Sequence, residues 1–107
     1  GGLIDPGESP AAAAARELLE ETGYRADPLE DCGEFYSSPG MVSESFTLVK
    51  ATGLTKVGEG GGTDSEDITV HRVPLERIED FIAAKRAEGM GIDSRITLLL
   101  SERLTRG

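Results

Sequence analysis

Glu17, Glu20 and Glu21 stand at i, i+3 and i+4, a spacing that puts all three carboxylates on one face of a helix. Like charges so placed repel by roughly 0.2–0.5 kcal/mol per pair. A bound cation relieves that repulsion, and carboxylate oxygens are the ligands that hard divalent ions prefer. Gly2, Glu8, Arg16 and Gly23 stand at fixed distances around the three acids. An isolated acidic cluster reads as a solvated helix face. Such a face gives no reason for a glycine and a glutamate upstream, or for an arginine directly before the first acid.

The carboxylates need a helix to hold them, and the local sequence supplies one. Ser9 can cap it, Pro10 fits the first helical position, and Ala11 to Ala15 have the highest intrinsic helix propensity. Gly23 then ends it. Ala11, Ala15, Leu18 and Thr22 predict an apolar stripe on the face away from the glutamates, with alanine allowing close packing on a sheet.

The segment Gly2 to Tyr24 resembles the signature of the Nudix hydrolases. That signature is a Gly, five residues, a Glu, seven residues, then Arg-Glu-aliphatic-any-Glu-Glu-any-Gly-aliphatic. Gly2, Glu8, Arg16, Glu17, Leu18, Glu20, Glu21 and Gly23 match it. Tyr24 departs, being aromatic where the pattern has an aliphatic residue, which bears on packing and not on ligation. At average residue usage, seven single-type positions of roughly 7% each coincide by chance on the order of once in 10⁸ windows.

The resemblance implies an α/β fold, an α/β/α sandwich with a mixed sheet and the Glu-rich helix packed between layers. Family members place several strands before the signature, which here opens almost at the first residue. The expectation is therefore that residues 1–107 form the C-terminal portion of a Nudix hydrolase domain, starting at the signature and lacking its N-terminal strands. The resemblance further implies that Glu17, Glu20, Glu21 and the main-chain carbonyl of Gly1 hold Mg²⁺, with Mn²⁺ as an alternative. Arg16 is then an orienter of the acidic side chains.

Pro39 lies 15 residues after Tyr24, a placement that resembles the ADP-ribose pyrophosphatases within the family. Phe35-Tyr36-Ser37-Ser38-Pro39-Gly40, followed by Ser43-Glu44, looks like the substrate loop of that subfamily, so Pro39, Gly40 and Glu44 are expected at the sugar end of the substrate. On turn chemistry alone, Pro39-Gly40 reads as a type II turn. Asp64-Ser65-Glu66-Asp67-Ile68 resembles the subfamily loop that supplies a catalytic carboxylate. Glu66 matches best as the base, with Asp64 as the alternative. The implied reaction is ADP-ribose plus water giving AMP and ribose 5-phosphate. GDP-mannose or another nucleoside diphosphate derivative is the competing substrate, and a non-catalytic nucleotide-binding domain or an inactive fragment is the competing class. A homodimer is implied for the complete protein.

Composition narrows the partners. A net charge of −9 and a pI near 4.5 argue against non-specific binding to nucleic acid or to an anionic membrane, because the long-range field repels phosphate. A phosphate substrate therefore needs a cation as a bridge. No apolar run is long enough for a membrane span and no signal peptide opens the chain, so a cytoplasmic protein is expected. Cys32 is a single cysteine, which excludes an internal disulfide and a multi-thiolate metal site, and reads as a small buried or half-buried apolar residue.

Further along, residues 25 to 33 read as a polar connection, Glu34 to Ser37 as a short strand, and Phe46 to Thr52 as another. Gly58 to Gly62 reads as a flexible surface loop, suited to closing on substrate and equally to an idle connection. Ile68 to Val73 predicts a strand stopped by Pro74. Leu75, Ile78, Phe81, Ile82 and Lys85 predict a helix running to Gly89, and Asp93 or Ser94 a last helix carrying Ile96, Leu99, Leu100 and Leu104. His71, the sole histidine, is expected to have a polar structural role, and no second domain is indicated.

Overall fold

Helix α1 spans Pro10–Thr22 in the computed structural model, which describes residues 1–101. Its ends form as the local sequence dictates. Ser9 Oγ accepts from the Ala12 amide at 3.1 Å, Pro10 lies in the first turn, and Gly23 closes the helix in the left-handed region at φ 77°, ψ 14°. The Gly23 amide donates to the Leu19 carbonyl at 2.9 Å.

The rotation of α1 differs from the expected stripe. Ala13 is its buried residue, 4% exposed, while Ala15 is exposed and Ala11, Leu18 and Thr22 are half-buried. Ala13 is followed at i+4 and i+7 by Glu17 and Glu20, so the most closely packed line of the helix runs along the glutamate side. The reason is local. The segment before the helix and a later glycine loop both lie against that side, as the contacts described below show.

Four strands form two separate antiparallel pairs. β1 (Tyr24–Arg25) pairs with β4 (Thr55–Lys56), and β2 (Leu29–Tyr36) pairs with β3 (Ser45–Ala51). Helix α1 packs against β1, β2 and β3. Helices and strands together make an α/β fold, as expected. Among the described residues no strand pair is parallel, so these strands by themselves form no mixed sheet. β2 begins at Leu29, inside the segment expected to be a polar connection. Cross-strand partners override the weak propensity there, for Glu30 stands opposite Lys50 and Asp31 opposite Val49, while further along Phe35 stands opposite Phe46 with ring centroids 5.9 Å apart. A bulge between Asp31 and Glu34 leaves Cys32 half-buried and lets Asp31 Oδ1 accept from the Gly33 amide at 2.8 Å.

Ile68 to Val73 is not a strand. A strand exists by virtue of its ladder partner, and among the described residues none is paired with this segment.

Contacts divide the chain into two compact units, Gly1–Val70 and one beginning at His71. In the second, a 3₁₀ turn at Leu75–Arg77 leads into α2 (Ile78–Ala87). Ile78, Phe81, Ile82 and Lys85 are half-buried along one face as their spacing predicts, whereas Leu75 is exposed. His71 packs its ring 5.2 Å from that of Phe81, a structural contact. The expected last helix is a 3₁₀ segment, Ser94–Leu100, capped by the Asp93 side chain on the Arg95 amide. The Thr97 hydroxyl donates to the Ser94 carbonyl at 2.7 Å, a three-residue closure that matches the tighter winding. Leu104 lies outside the described residues. Among the described residues no helix is long and apolar enough to cross a membrane.

Candidate active site

Arg16 organises the start of the chain around the helix. Its Nε and Nη2 donate to the two oxygens of Glu8 at 3.1 and 3.0 Å, and its Nη1 donates to Glu17 Oε1 at 2.9 Å. Nη2 also donates to the Leu3 carbonyl at 3.0 Å and lies 3.5 Å from Asp5 Oδ2, while Nη1 lies 3.8 Å from Glu20 Oε2. One planar fork thus ties a loop glutamate to the helix acids, a geometry lysine cannot reproduce. Glu8 is further fixed by its own loop, since its Oε1 accepts from the Asp5 amide at 3.0 Å and its amide donates to the Asp5 carbonyl at 3.0 Å. The Arg16 hydrogen bond, and then the Asp5 amide, hold the Glu8 carboxyl below its ordinary value. Glu8 and Glu17 reciprocally push the Arg16 guanidinium up, so it stays charged.

Gly2 lies directly beneath the carboxylate of Glu17. A Cβ there would collide with Glu17 Cδ and Oε1, so a larger residue would displace the carboxylate that Arg16 holds.

The three helix acids are partly shielded, with side-chain exposures of 18% for Glu17, 35% for Glu20 and 21% for Glu21. Arg16 engages Glu17 and approaches Glu20, and the Gly1 backbone nitrogen lies 3.5 Å from Glu21 Oε2. Among the described residues no three acidic, histidine or cysteine side chains gather into a cluster able to hold a metal ion. The donor set nevertheless suits a hard divalent cation. It offers carboxylate oxygens on one helix face, with Gly2 packed closely against the first of them.

Glu66 reaches the same unit through a loop that is fastened and not free. The Gly61 and Gly62 amides donate to the Glu21 and Glu20 carbonyls at 2.9 and 2.8 Å, and the Val57 and Gly58 amides to the Gly23 carbonyl at 2.8 and 3.0 Å. The loop expected to be flexible is therefore the C-terminal cap of α1. Glu66 Oε1 accepts from the Thr63 amide at 2.8 Å and the Thr63 hydroxyl at 3.1 Å, and the Glu66 amide returns to the Thr63 carbonyl at 2.9 Å. The Thr63 amide, then its hydroxyl, lower the Glu66 carboxyl from its ordinary value. Asp64 sits in the same turn and is exposed.

Pro39, Gly40 and Glu44 lie in the connection from β2 to β3 and are exposed. The Met41 and Val42 amides both donate to the Ser38 carbonyl at 2.9 Å, and the Ser37 amide reaches the Glu44 carbonyl at 3.1 Å. Gly40 does not have a positive φ, so the turn is not type II. None of the described hydrogen bonds or ion pairs joins this connection to the helix acids. The structure thus gathers Glu8, Arg16, Glu17 and Glu20, and ties the Glu66 loop to the same helix. The part of Glu8 as the seat of Arg16 was not read from the sequence, although its fixed distance from Arg16 was the signal.

Residues 1–91 match the model of the NUDIX domain. The chain belongs to the Nudix family. It is 35% identical over 108 aligned residues to a GDP-mannose pyrophosphatase of Cronobacter sakazakii, covering 99% of this chain and 54% of that protein. A methanol dehydrogenase activator of Bacillus methanolicus is 35% identical over 86 residues, covering 79% of this chain and 46% of that one. Among solved structures, an ADP compounds hydrolase superposes with a TM-score of 0.60 at 36% identity, covering 77% of this chain and 44% of the other. The chain spans about half the length of these Nudix relatives.

Proposed function

We propose that this Nudix chain carries the catalytic part of a pyrophosphatase that cleaves nucleoside diphosphate sugars, with ADP-ribose split to AMP and ribose 5-phosphate. The observation that carries the reading is the Arg16 fork, which holds Glu8 with two hydrogen bonds and Glu17 with a third while approaching Glu20. A fork of this kind sets the direction in which helix carboxylates face, the task that outer partners perform for metal ligands.

In this reading Glu17, Glu20, Glu21 and the Gly1 carbonyl hold a divalent cation, Mg²⁺ first and Mn²⁺ as the alternative. When bound, that ion neutralises phosphate oxygens and activates a water. Glu66 takes the proton from an attacking water as the water oxygen bonds to one phosphorus and the bridging P–O bond breaks, leaving two monophosphates. The hydrogen bonds from Thr63 engage one Glu66 oxygen and keep the carboxyl ionised, so the other oxygen is open to accept. Asp64, exposed in the same turn, is the alternative base. Pro39, Gly40 and Glu44, at the end of the β2–β3 hairpin, contact the sugar. The complete protein acts as a homodimer.

GDP-mannose is a second reading of the substrate. It is supported by the C. sakazakii GDP-mannose pyrophosphatase, whose alignment covers 99% of this chain. Steady-state rates on ADP-ribose and GDP-mannose with magnesium, in the natural full-length protein, separate the two by their ratio of kcat/KM. A folded protein that releases no monophosphate from either contradicts both substrate readings and leaves another nucleoside diphosphate derivative or a nucleotide-binding role.

A further inference from the structure

The glycine loop between β4 and Glu66 connects two groups of acids through backbone alone. The last carbonyls of a helix have no partner within it. In α1 those of Glu20 and Glu21 are taken by the Gly62 and Gly61 amides at 2.8 and 2.9 Å. Gly60 makes the approach possible. It has φ +74°, and a Cβ there would lie 2.5 Å from the Thr22 carbonyl carbon and 2.7 Å from the Glu21 oxygen, both backbone atoms that cannot rotate away. At Gly62, with φ +85°, a Cβ would lie 2.8 Å from Glu66 Cβ and 3.0 Å from Glu66 Oε1. Thr63 then grips Glu66 Oε1 with its amide and its hydroxyl.

We propose that Gly60 and Gly62 are positioning residues, and that Gly60-Gly61-Gly62 is a clasp setting the Glu66 carboxylate at a fixed place relative to Glu20 and Glu21. The path from the helix carbonyls to the Glu66 carboxylate passes through amides and one turn, with no flexible side chain between. The proposal rests on the assignment of Glu66 as base in the proposed function.

The test is a double-mutant cycle of Gly60→Ala with Glu66→Gln in the natural full-length protein, with magnesium, on whichever of ADP-ribose and GDP-mannose it turns over. Gly58→Ala is the control, since a Cβ at Gly58 meets open space. Misplacing a reacting group by about an ångström costs up to about 10²-fold, so Gly60→Ala is expected to lower kcat by about tenfold or more and leave KM within about twofold. In the Glu66→Gln background the same change is expected to cost less than about twofold, because the group it positions is gone. Gly58→Ala keeps the parent rate.

A full loss from Gly60→Ala in both backgrounds overturns the clasp and leaves Glu66 as base. Unchanged turnover in Glu66→Gln alone overturns the base assignment, and the proposal with it. Should Gly60→Ala fail to fold, Gly62→Ala replaces it, because its collision falls on the Glu66 and Ile68 side chains and not on the helix. Independently of any variant, the Gly61 and Gly62 amides are expected to exchange slowly with solvent deuterium. Exchange as fast as in an unstructured peptide overturns the clasp.

Discussion

Arg16 answers two glutamates on opposite sides of its guanidinium, and that division gives its substitution a distinct signature. Arg16→Lys keeps the positive charge and loses the fork that spans Glu8 and Glu17. Losing a partner that orients a metal ligand costs about 10- to 100-fold in activity, so kcat/KM is expected to fall by that factor under magnesium saturation. A lysine variant with the parent rate would show that charge alone suffices. Glu8 adds a pH dependence. Its folded carboxyl titrates below the ordinary 4.5, so its contribution to stability is complete above that value and is lost as the pH falls through the lower folded value. The thermal midpoint is expected to drop on acidification below about 4.5, and to drop less in Glu8→Gln, in melts recorded against pH. At this scale the sequence was informative about which acids share the helix, because i, i+3 and i+4 fix a face. It marked Glu8 by spacing without revealing its partner and was silent on Thr63, because both sets of partners depend on how two loops fold back.

Helix α1 is the element on which everything else hangs, and its start depends on one hydroxyl. Ser9→Ala removes the acceptor of the Ala12 amide and is expected to cost about 1 kcal/mol in urea unfolding, the usual loss at an N-cap. A change within error would mean that Pro10 and the alanine run suffice to start the helix. The boundaries of α1 were legible because capping and termination are local chemistry. Its rotation was not, since Ala13 and not Ala15 is buried, and that follows from the segments packed along the glutamate side. β2 extends into a stretch of poor strand propensity because β3 supplies partners such as Lys50 and Val49. Ile68 to Val73 shows the converse, a strand-like sequence without a described partner. The glycine run read as mobile since its composition is permissive, yet its amides find the helix carbonyls.

For the molecule as a whole, the decisive quantity is charge. A chain of net −9 that carries three glutamates on one helix face repels a pyrophosphate, so a cation must stand between them in the proposed reaction. The same repulsion makes the triad costly without that cation, and Glu21→Gln relieves part of it while keeping the side chain's shape. The most direct test is magnesium-dependent release of monophosphate from ADP-ribose, with GDP-mannose alongside, by the natural full-length protein and its Glu21→Gln variant. Loss of a ligand is expected to exceed the 10- to 100-fold range of outer partners, so turnover should fall by at least about 100-fold while the variant remains folded. Turnover by Glu21→Gln equal to that of the parent, at the same magnesium concentration, would contradict the metal-holding role of the helix acids.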